Sequence, residues 1–435
     1  MELKKSQYNY VVSLENNYVV VFNGVSKAIG RFKPQQFDIV KIILEKPNVS
    51  VSTFQDGFII KSYLIRNGFL ISKNLDEFET LKERNRIAIN GKYSFDLLIL
   101  PTLDCNFRCF YCYEEHRPVN MSQKVEERIK NWTKKNLESY TALNLSWFGG
   151  EPLLRVDTIL RLSDFFQNFC KQHGKVFTNM ITTNGYLLTR DNINNLKDVG
   201  LKHFHVTLDG SSHWHNQFRV HRNNSATYTQ IVDGVNRVLD QIQDARITIR
   251  VNYNKDNFND IPELFSVFPN KSKKRISLIF RQIFGDLSDS IALPEKSKRE
   301  MEYYTMAAEQ GYCSSLVEAF QGPKETYCYA DKKGALIIGP EAELFRCGVG
   351  TFDSDSKMGD LRYDGTIEWK TEKLTKWEAV NGFDDPDCIK CGYLPLCMGG
   401  CRANRAAGKT KIGCDQPYEL LEDMLKISCS GAVAP

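Results

Sequence analysis

The chain of 435 residues contains thirteen cysteines, yet none of them falls in the first 104 positions. It also lacks any run of about 18 consecutive apolar residues, which argues against a membrane-spanning helix. No Lys/Arg block stands out, and the net charge of +4 is spread over many segments. That pattern predicts neither nucleic-acid nor membrane-surface partners. The opening stretch "MELKKSQYNYVVSLENN" has no apolar h-region and no small-residue cleavage site. The expected location is therefore cytoplasmic. Internal repeats and low-complexity tracts are missing too. What is present is ordinary for a globular protein: 42% hydrophobic and 25% charged residues. The length exceeds one ordinary core and predicts two or three domains.

The cysteines are unevenly placed. Three stand at positions 105, 109 and 112, and seven more fall between 328 and 414; the others are Cys170, Cys313 and Cys429. Disulfides are rare in a reducing compartment, so clustered cysteines there point to metal binding or chemistry.

Residues 1–92 read as a unit of their own. "QYNYVVSL" and "NYVVVFNG" alternate in polarity around "ENN", a hairpin pattern. "KPQQFDIVKIILEK" places Phe37, Val40, Ile43 and Leu44 at helical spacing behind Pro34. Asn67-Gly68 marks a wing-type turn, and the whole suits a winged-helix-like module. The charged stretch "LDEFETLKERNRIAINGK" is expected to link it to the next domain. From about residue 95, six strand-like runs alternate with amphipathic segments: "FDLLILP", "LNLSWFGG", "VFTNMITTNG", "HFHVTLDG", "RITIRVNY" and "ISLIFRQIF". Strand–helix alternation predicts a parallel sheet with right-handed crossovers, here a partial (β/α)6 barrel of the α/β class. Active sites of such barrels lie at the strand C-terminal ends, where the glycine and polar signatures of this chain fall. The predicted boundaries are 1–92, 93–305 and a cysteine-rich 306–435.

Directly after the first barrel strand comes "LDCNFRCFYCYEE", in which Cys105, Cys109 and Cys112 are spaced C-x3-C-x2-C. Three thiolates on one loop can hold three irons of a four-iron cluster and leave the fourth open to a small molecule. A structural zinc wants four ligands. A zinc knuckle completed by His116 is the competing reading; zinc pairs usually repeat as C-x2-C with a matching second pair. "CNFRCFYC" resembles the signature loop of the radical S-adenosylmethionine (SAM) enzymes. In that family SAM binds the open iron, and reductive cleavage gives methionine and a 5′-deoxyadenosyl radical that abstracts hydrogen from the substrate.

The resemblance continues in chain order. "GGEP" matches the family's SAM-amino motif, which implies Gly149, Gly150 and Glu151 as cofactor contacts. "TTNG" and "TLDG" end the third and fourth strands. "HNQFR" stands where the family has "HD..R", with Asn216 in place of the aspartate and one loop hydrogen bond in question. The resemblance implies that Thr207 and Arg219 bind the ribose and carboxylate of SAM, and that Tyr111 packs by the adenine. Arg250 and Asn252 alternate to one strand face, as pocket residues or as a satisfied core pair. Five of the seven histidines lie between 203 and 221, without cysteine or carboxylate at ligand spacing.

Near the C-terminus "CIKCGYLPLCMGGC" spaces Cys388, Cys391, Cys397 and Cys401 as C-x2-C-x5-C-x3-C, with Cys414 twelve residues on. Cys328 and Cys347 precede them. Seven cysteines exceed one zinc ribbon. The arrangement looks like the SPASM extension, which carries two auxiliary clusters in a subset of radical SAM enzymes. Carried over, Cys388, Cys391, Cys397 and Cys414 hold one cluster. Cys328, Cys347 and Cys401 hold the other, whose last iron is completed by Cys313 or stays open to substrate. The implied cofactors are SAM and three 4Fe–4S clusters. SPASM members mostly modify peptides and proteins. The front module resembles the element with which maturases of ribosomally made peptides bind a leader by strand addition; a dimerisation or packing domain is the plainer alternative. The expected partners are a precursor peptide and a small electron-donor protein such as flavodoxin or ferredoxin. The expected activity is an oxidoreductase that crosslinks the precursor through a thioether, C–C or C–O bond. Formylglycine formation on a protein Cys or Ser, as in anaerobic sulfatase maturases, is the alternative. Those enzymes carry an aspartate after the second SPASM cysteine, where this chain has Gly348. A non-catalytic iron–sulfur carrier or sensor is a third reading.

Overall fold

A computed structural model describes residues 2–14, 17–283, 293–314, 324–408 and 421–429. Its contacts divide the chain into two units. One comprises 1–90, 316–332 and 377–435, the other 91–315 and 333–376.

In the first unit, β1 (Leu3–Lys5) pairs with β5 (Leu70–Ser72), and β2 (Asn9–Ser13), β3 (Val19–Asn23) and β4 (Ile29–Phe32) form an antiparallel sheet in that order. Helices α1 (Pro34–Glu45) and α2 (Gly57–Arg66) follow β4, and α3 (Glu77–Asn90) follows β5. The expected hairpin is β2–β3, in register from Asn9↔Asn23 to Ser13↔Val19. The charged stretch read as a linker is α3: its Glu77, Leu81 and Asn85 are buried while Glu79, Glu83, Arg84 and Arg86 are exposed. A single apolar position per turn was too thin a stripe to signal a helix.

Strand β3 is buried along nearly its whole length. With a side-chain period of two, Val21 joins Val40, Ile43, Ile60 and Leu64 on one face. Val20 and Phe22 join Val12, Leu396, Leu421 and Leu425 on the other. A third cluster gathers Tyr8 and Leu81 with Phe383, Leu394 and Met398. The N-terminal sheet and the cysteine-rich C-terminal segment thus share a core.

The second unit is built on parallel strands. The six strand-like runs fold as β6 (Ser94–Ile99), β8 (Ala142–Trp147), β9 (Val176–Thr183), β10 (Leu201–Thr207), β12 (Arg246–Tyr253) and β13 (Ile276–Gln282), hydrogen-bonded in that order and all parallel. Helices α4 (Gln123–Asn136), α5 (Val156–Gln172), α6 (Arg190–Asp198) and α7 (Tyr228–Gln241) lie between them in sequence. Crossovers of this kind are what a parallel sheet requires. The sheet continues past its first strand: β15 (Ala335–Ile338) adds parallel to β6, and β16 (Glu343–Phe345) turns back on β15. At the opposite edge β14 (Cys313–Ser314) pairs with β13. Among the described residues no helix is long and apolar enough to cross a membrane.

Candidate active site

The loop after β6 is held by its own short-range hydrogen bonds. The Thr102 hydroxyl donates to Val119 O (3.0 Å) and accepts from Asp104 N (3.0 Å), and Asp104 Oδ1 accepts from Cys105 N (2.8 Å). Phe107 N lies 3.4 Å from Cys105 Sγ. The loop then forms β7 (Phe107–Cys109), which pairs antiparallel with β11 (Arg219–His221). That register sets Arg219 opposite Cys109 and His221 opposite Phe107. The Arg219 guanidinium also lies over the Phe107 ring, 5.6 Å from its centroid. Two expected site residues more than a hundred positions apart are joined by this two-stranded ribbon.

The Gly-Gly-Glu turn after β8 closes on the same loop. A Cβ on Gly149 would stand 2.3 Å from Thr102 O, and one on Gly150 would stand 2.2 Å from Asp104 O. Only glycine tolerates either approach, and Gly149 also adopts φ +111°. Glu151 N donates to Asp104 O at 2.8 Å. The fully buried Glu151 carboxylate accepts from the Thr183 hydroxyl (2.7 Å), Asn184 N (2.7 Å) and Leu153 N (3.0 Å). Burial pushes its pKa up, and the Asn184, Thr183 and Leu153 hydrogen bonds oppose that shift. Glu151 therefore ties the end of β9 to the cysteine loop. Asn184 extends the tie to Asn106 Oδ1 (2.7 Å) and lies 3.9 Å from Cys105 Sγ.

At the end of β10, Asp209 is the centre of a second network. Its carboxylate accepts from the Tyr111 hydroxyl, from Asn252 N (2.7 Å) and from Asn252 Nδ2 (3.2 Å). Arg219 Nη1 donates to the Tyr111 oxygen at 2.7 Å. Behind it, the buried His215 accepts at Nδ1 from Asp209 N (3.1 Å), and its Nε2 faces the Thr227 hydroxyl (3.1 Å). Thr227 in turn donates to Arg219 O (2.9 Å), so His215 Nε2 carries the proton. Burial, with Arg219 adding to it, holds this imidazole neutral by pushing its pKa well below 6.5. Asn216 answers the question its substitution raised: Oδ1 accepts from Thr227 N (2.9 Å) and Tyr228 N (3.0 Å), so a neutral amide does that work. Thr207 ends β10, in register with Arg250 of β12. His215 heads the "HNQFR" motif, whereas Asp209 and Asn184 were not singled out from the sequence. The Asp-Gly and Asn-Gly turns that follow both strands were the available signal.

Burial raises the pKa of all three loop thiols, Cys105 to about 12, and the Cys109 charge adds to the shift of the other two. Cys105 and Cys112 therefore each stand within electrostatic reach of Cys109, and all three within reach of Arg219. Thiols so placed become thiolates only against a strong Lewis acid such as iron. Arg219 Nε and Asn106 Nδ2 are buried without a partner, leaving open donors beside the loop. His116 Nε2 lies 3.5 Å from Cys112 Sγ. Among the described residues no group of three His, Cys, Asp or Glu side chains could hold a single metal ion. Donors for one ion must converge on a point, whereas a four-iron cluster takes one thiolate at each occupied corner. The donor set fits such a cluster.

In the first unit, Cys388, Cys391, Cys397 and Cys401 lie on tight turns around α8 (Pro386–Ile389), α9 (Leu394–Cys397) and α10 (Arg402–Ala406). Met398, Gly399 and Gly400 are all left-handed, with φ of 53°, 86° and 78°. Gly399 touches Gly382 so closely that a Cβ on Gly382 would lie 2.1 Å from its Cα. Arg405 donates to Asp385 Oδ2 (2.7 Å) and to Cys388 Sγ (2.9 Å). Arg402, next to Cys401, pairs at 3.0 Å with Asp331, whose other oxygen accepts from Cys328 N (3.3 Å). Cys347 and Cys313 belong to the second unit, where the Cys313 thiol donates to Lys274 O (2.7 Å). Cys414 lies outside the described residues.

Comparison with known proteins matches residues 99–267 to the radical SAM superfamily. The Fe-coproporphyrin III synthase of Methanosarcina barkeri is 26% identical over 352 residues, covering 73% of this chain and 85% of that protein. The radical SAM cyclopropyl synthase TigE of Paramaledivibacter caminithermalis is 24% identical and covers 92% of this chain and 89% of its own. Among solved structures, that of anSMEcpe with bound AdoMet and a Cp18Cys peptide aligns with a TM-score of 0.59 at 16% identity. It covers 78% of this chain and 98% of that one, a likeness of fold.

Proposed function

Given that residues 99–267 belong to the radical SAM superfamily, we propose that this protein is a peptide maturase. It binds SAM beside Cys105, Cys109 and Cys112 and abstracts hydrogen from a ribosomally made precursor, most simply to install an intramolecular crosslink. A four-iron cluster held by these thiols supplies the electron that cleaves SAM. The chain's own contribution is placement. Gly149 and Gly150 let the backbone approach the cysteine loop, Glu151 fixes that turn to β9, and Arg219 offers a buried cation with one unpartnered N–H to the SAM carboxylate. Tyr111 and Asp209 hold that cation in position.

One observation carries the peptide reading. PqqA peptide cyclase of Bradyrhizobium diazoefficiens aligns with 72% of this chain at 20% identity, and the alignment with TigE, over 92%, takes in most of residues 1–92, the part that resembles a leader-recognition element. In the structure this part shares its core with the cysteine-rich segment of the same unit. Residues 328, 347, 388, 391, 397, 401 and 414 are the proposed ligands of two auxiliary clusters, with a flavodoxin- or ferredoxin-type protein as electron donor. Formylglycine formation remains the second reading, and Gly348 after Cys347 counts against it. The test is anaerobic. Reduced, iron-reconstituted protein should convert SAM to 5′-deoxyadenosine, and a co-expressed precursor should lose two hydrogens per crosslink by mass spectrometry. Absence of 5′-deoxyadenosine would refute the enzyme reading.

A further inference from the structure

Three basic side chains stand together on one face of the parallel sheet, and no part of the proposed SAM site uses them. The register sets Thr207 of β10 beside Arg250 of β12, and Asn252 of β12 beside Arg281 of β13. With a period of two, His205, Arg250 and Arg281 project from the same side as Thr207 and Asn252. Phe204, Val206, Ile249, Val251 and Phe280 fill the other side and are buried. Arg250 Nε donates to Asn252 Oδ1 (2.8 Å), and Arg281 Nη1 donates to Phe280 O (2.8 Å). Neither arginine pairs with a carboxylate among the described residues. Asp209, the acid whose charge reaches Arg250, has both oxygens taken by Tyr111 and Asn252. His205 Nε2 is buried and has no partner. Tyr113, one residue past Cys112, shares the electrostatic neighbourhood of Arg250, which places the group beside the first cysteine loop.

Two guanidinium groups within reach of each other repel; Arg281 is exposed, and Arg250 is half-buried, where a cation without a paired carboxylate is costly. Folded chains usually pair such groups, so an arrangement that leaves them unpaired is complementary to an anion from outside. A guanidinium matches a carboxylate in plane and can bind it through two N–H donors. A neutral imidazole with a free nitrogen adds one more polar contact and no further repulsion.

We propose that Arg250, Arg281 and His205 form a carboxylate subsite that holds an Asp or Glu side chain of the substrate peptide next to the SAM-binding loop. This rests on the peptide-maturase reading above. The other source of the same chemistry is the methionyl carboxylate of SAM, and the experiment separates the two.

The probe is the blocked pentapeptide acetyl-Gly-Gly-Glu-Gly-Gly-amide, with its Gln counterpart as the uncharged control. Each is titrated calorimetrically into full-length, iron-reconstituted, SAM-loaded protein under anaerobic conditions. A carboxylate paired with arginine is worth on the order of tenfold in affinity over the neutral amide. The Glu peptide should therefore bind about tenfold more tightly. Arg281→Gln should abolish the difference, and Arg281→Lys, which keeps the charge but not the fork, should retain part of it. The two peptides compared on the unaltered protein keep the test valid if a variant misfolds. Equal binding of the Glu and Gln peptides overturns the proposal. So does an Arg281→Gln protein that loses SAM affinity while still preferring the Glu peptide, since the carboxylate is then that of SAM. The titration needs no turnover. Failure of the maturase reading shows instead as unmodified precursor in the mass spectrum, whatever the peptides do.

Discussion

Arg219 donates to the hydroxyl of Tyr111 at 2.7 Å, and that hydroxyl in turn donates to Asp209. One phenolic oxygen thus stands between a buried cation and a buried carboxylate. Tyr111→Phe keeps the ring and removes the link, leaving Arg219 Nη1 and an Asp209 oxygen without their partner. An unsatisfied buried group of this kind costs about 1–3 kcal/mol. The expected outcome is a roughly tenfold weaker SAM dissociation constant with the iron content of the loop unchanged, because the three cysteines remain. Equilibrium dialysis of labelled SAM checks it. An unaltered constant would remove Tyr111 from the site.

The contact of Arg405 with Cys388 Sγ at 2.9 Å makes a second prediction. Hydrogen bonds and positive charge near a ligand sulfur favour the reduced, more negative form of an iron–sulfur cluster. Arg405→Gln removes the charge and also frees Asp385, to which Arg405 is bonded at 2.7 Å. The midpoint potential of one auxiliary centre should move to more negative values while the SAM-binding centre keeps its own. Potentiometric titration followed by electron paramagnetic resonance reads both. A shift of the SAM-binding centre instead, or no shift at all, would count against Cys388 as a cluster ligand.

Much of the parallel sheet was legible because its strands alternate apolar and polar side chains and three of them end in glycine turns, and all six fall on the runs that predicted them. The cysteine loop was legible from spacing alone. Three things were not. The ribbon between Phe107–Cys109 and Arg219–His221 is only three residues wide on each side, too short for any alternation to register. Helix α3 hides its single apolar line, Leu81, among charges. The core that Val20 and Phe22 share with Leu396 and Leu425 joins segments far apart in the chain. Local pattern shows that β3 is buried on both faces and cannot show by what. Asn216 was legible as a departure from a motif, yet its effect was readable only from the two amide N–H groups it accepts.

His205 gives the chain a pH dependence of definite sign. Burial, with Arg250 and Arg281 adding to it, pushes this imidazole down to about 4. Below its ordinary value near 6.5 the unfolded chain takes up a proton that the folded chain refuses, so stability falls as pH drops from about 6.5 towards 4. The loss is about 1 kcal/mol by pH 5.5 and up to about 3 kcal/mol by pH 4. His205→Asn, which cannot titrate, should lack this part of the decline. Urea midpoints at pH 7.5 and 5.5 for both proteins check it. Parallel declines would show that His205 is protonated in the folded state.

Arg402 and Asp331 form an ion pair in which both side chains are less than a tenth exposed, at 9% and 8%. The pair does more than neutralise charge. Asp331 Oδ2 accepts from Tyr327 N (2.8 Å) and Cys328 N (3.3 Å), and Arg402 Nη1 also donates to Trp377 O (3.2 Å). The turn carrying Cys328 is thereby fastened to the residue that follows Cys401. Removing one partner of a buried pair strands the other charge and costs about 3–5 kcal/mol. Arg402→Ala should therefore lower the urea midpoint of the whole protein and reduce the iron retained after reconstitution. Changing both residues together, Arg402→Met with Asp331→Leu, strands no charge and should recover most of the stability. It should not recover the iron, because the backbone N–H of Cys328 still lacks its acceptor. A double variant that regains stability and iron together would mean that the pair balances charge without holding the Cys328 turn in place.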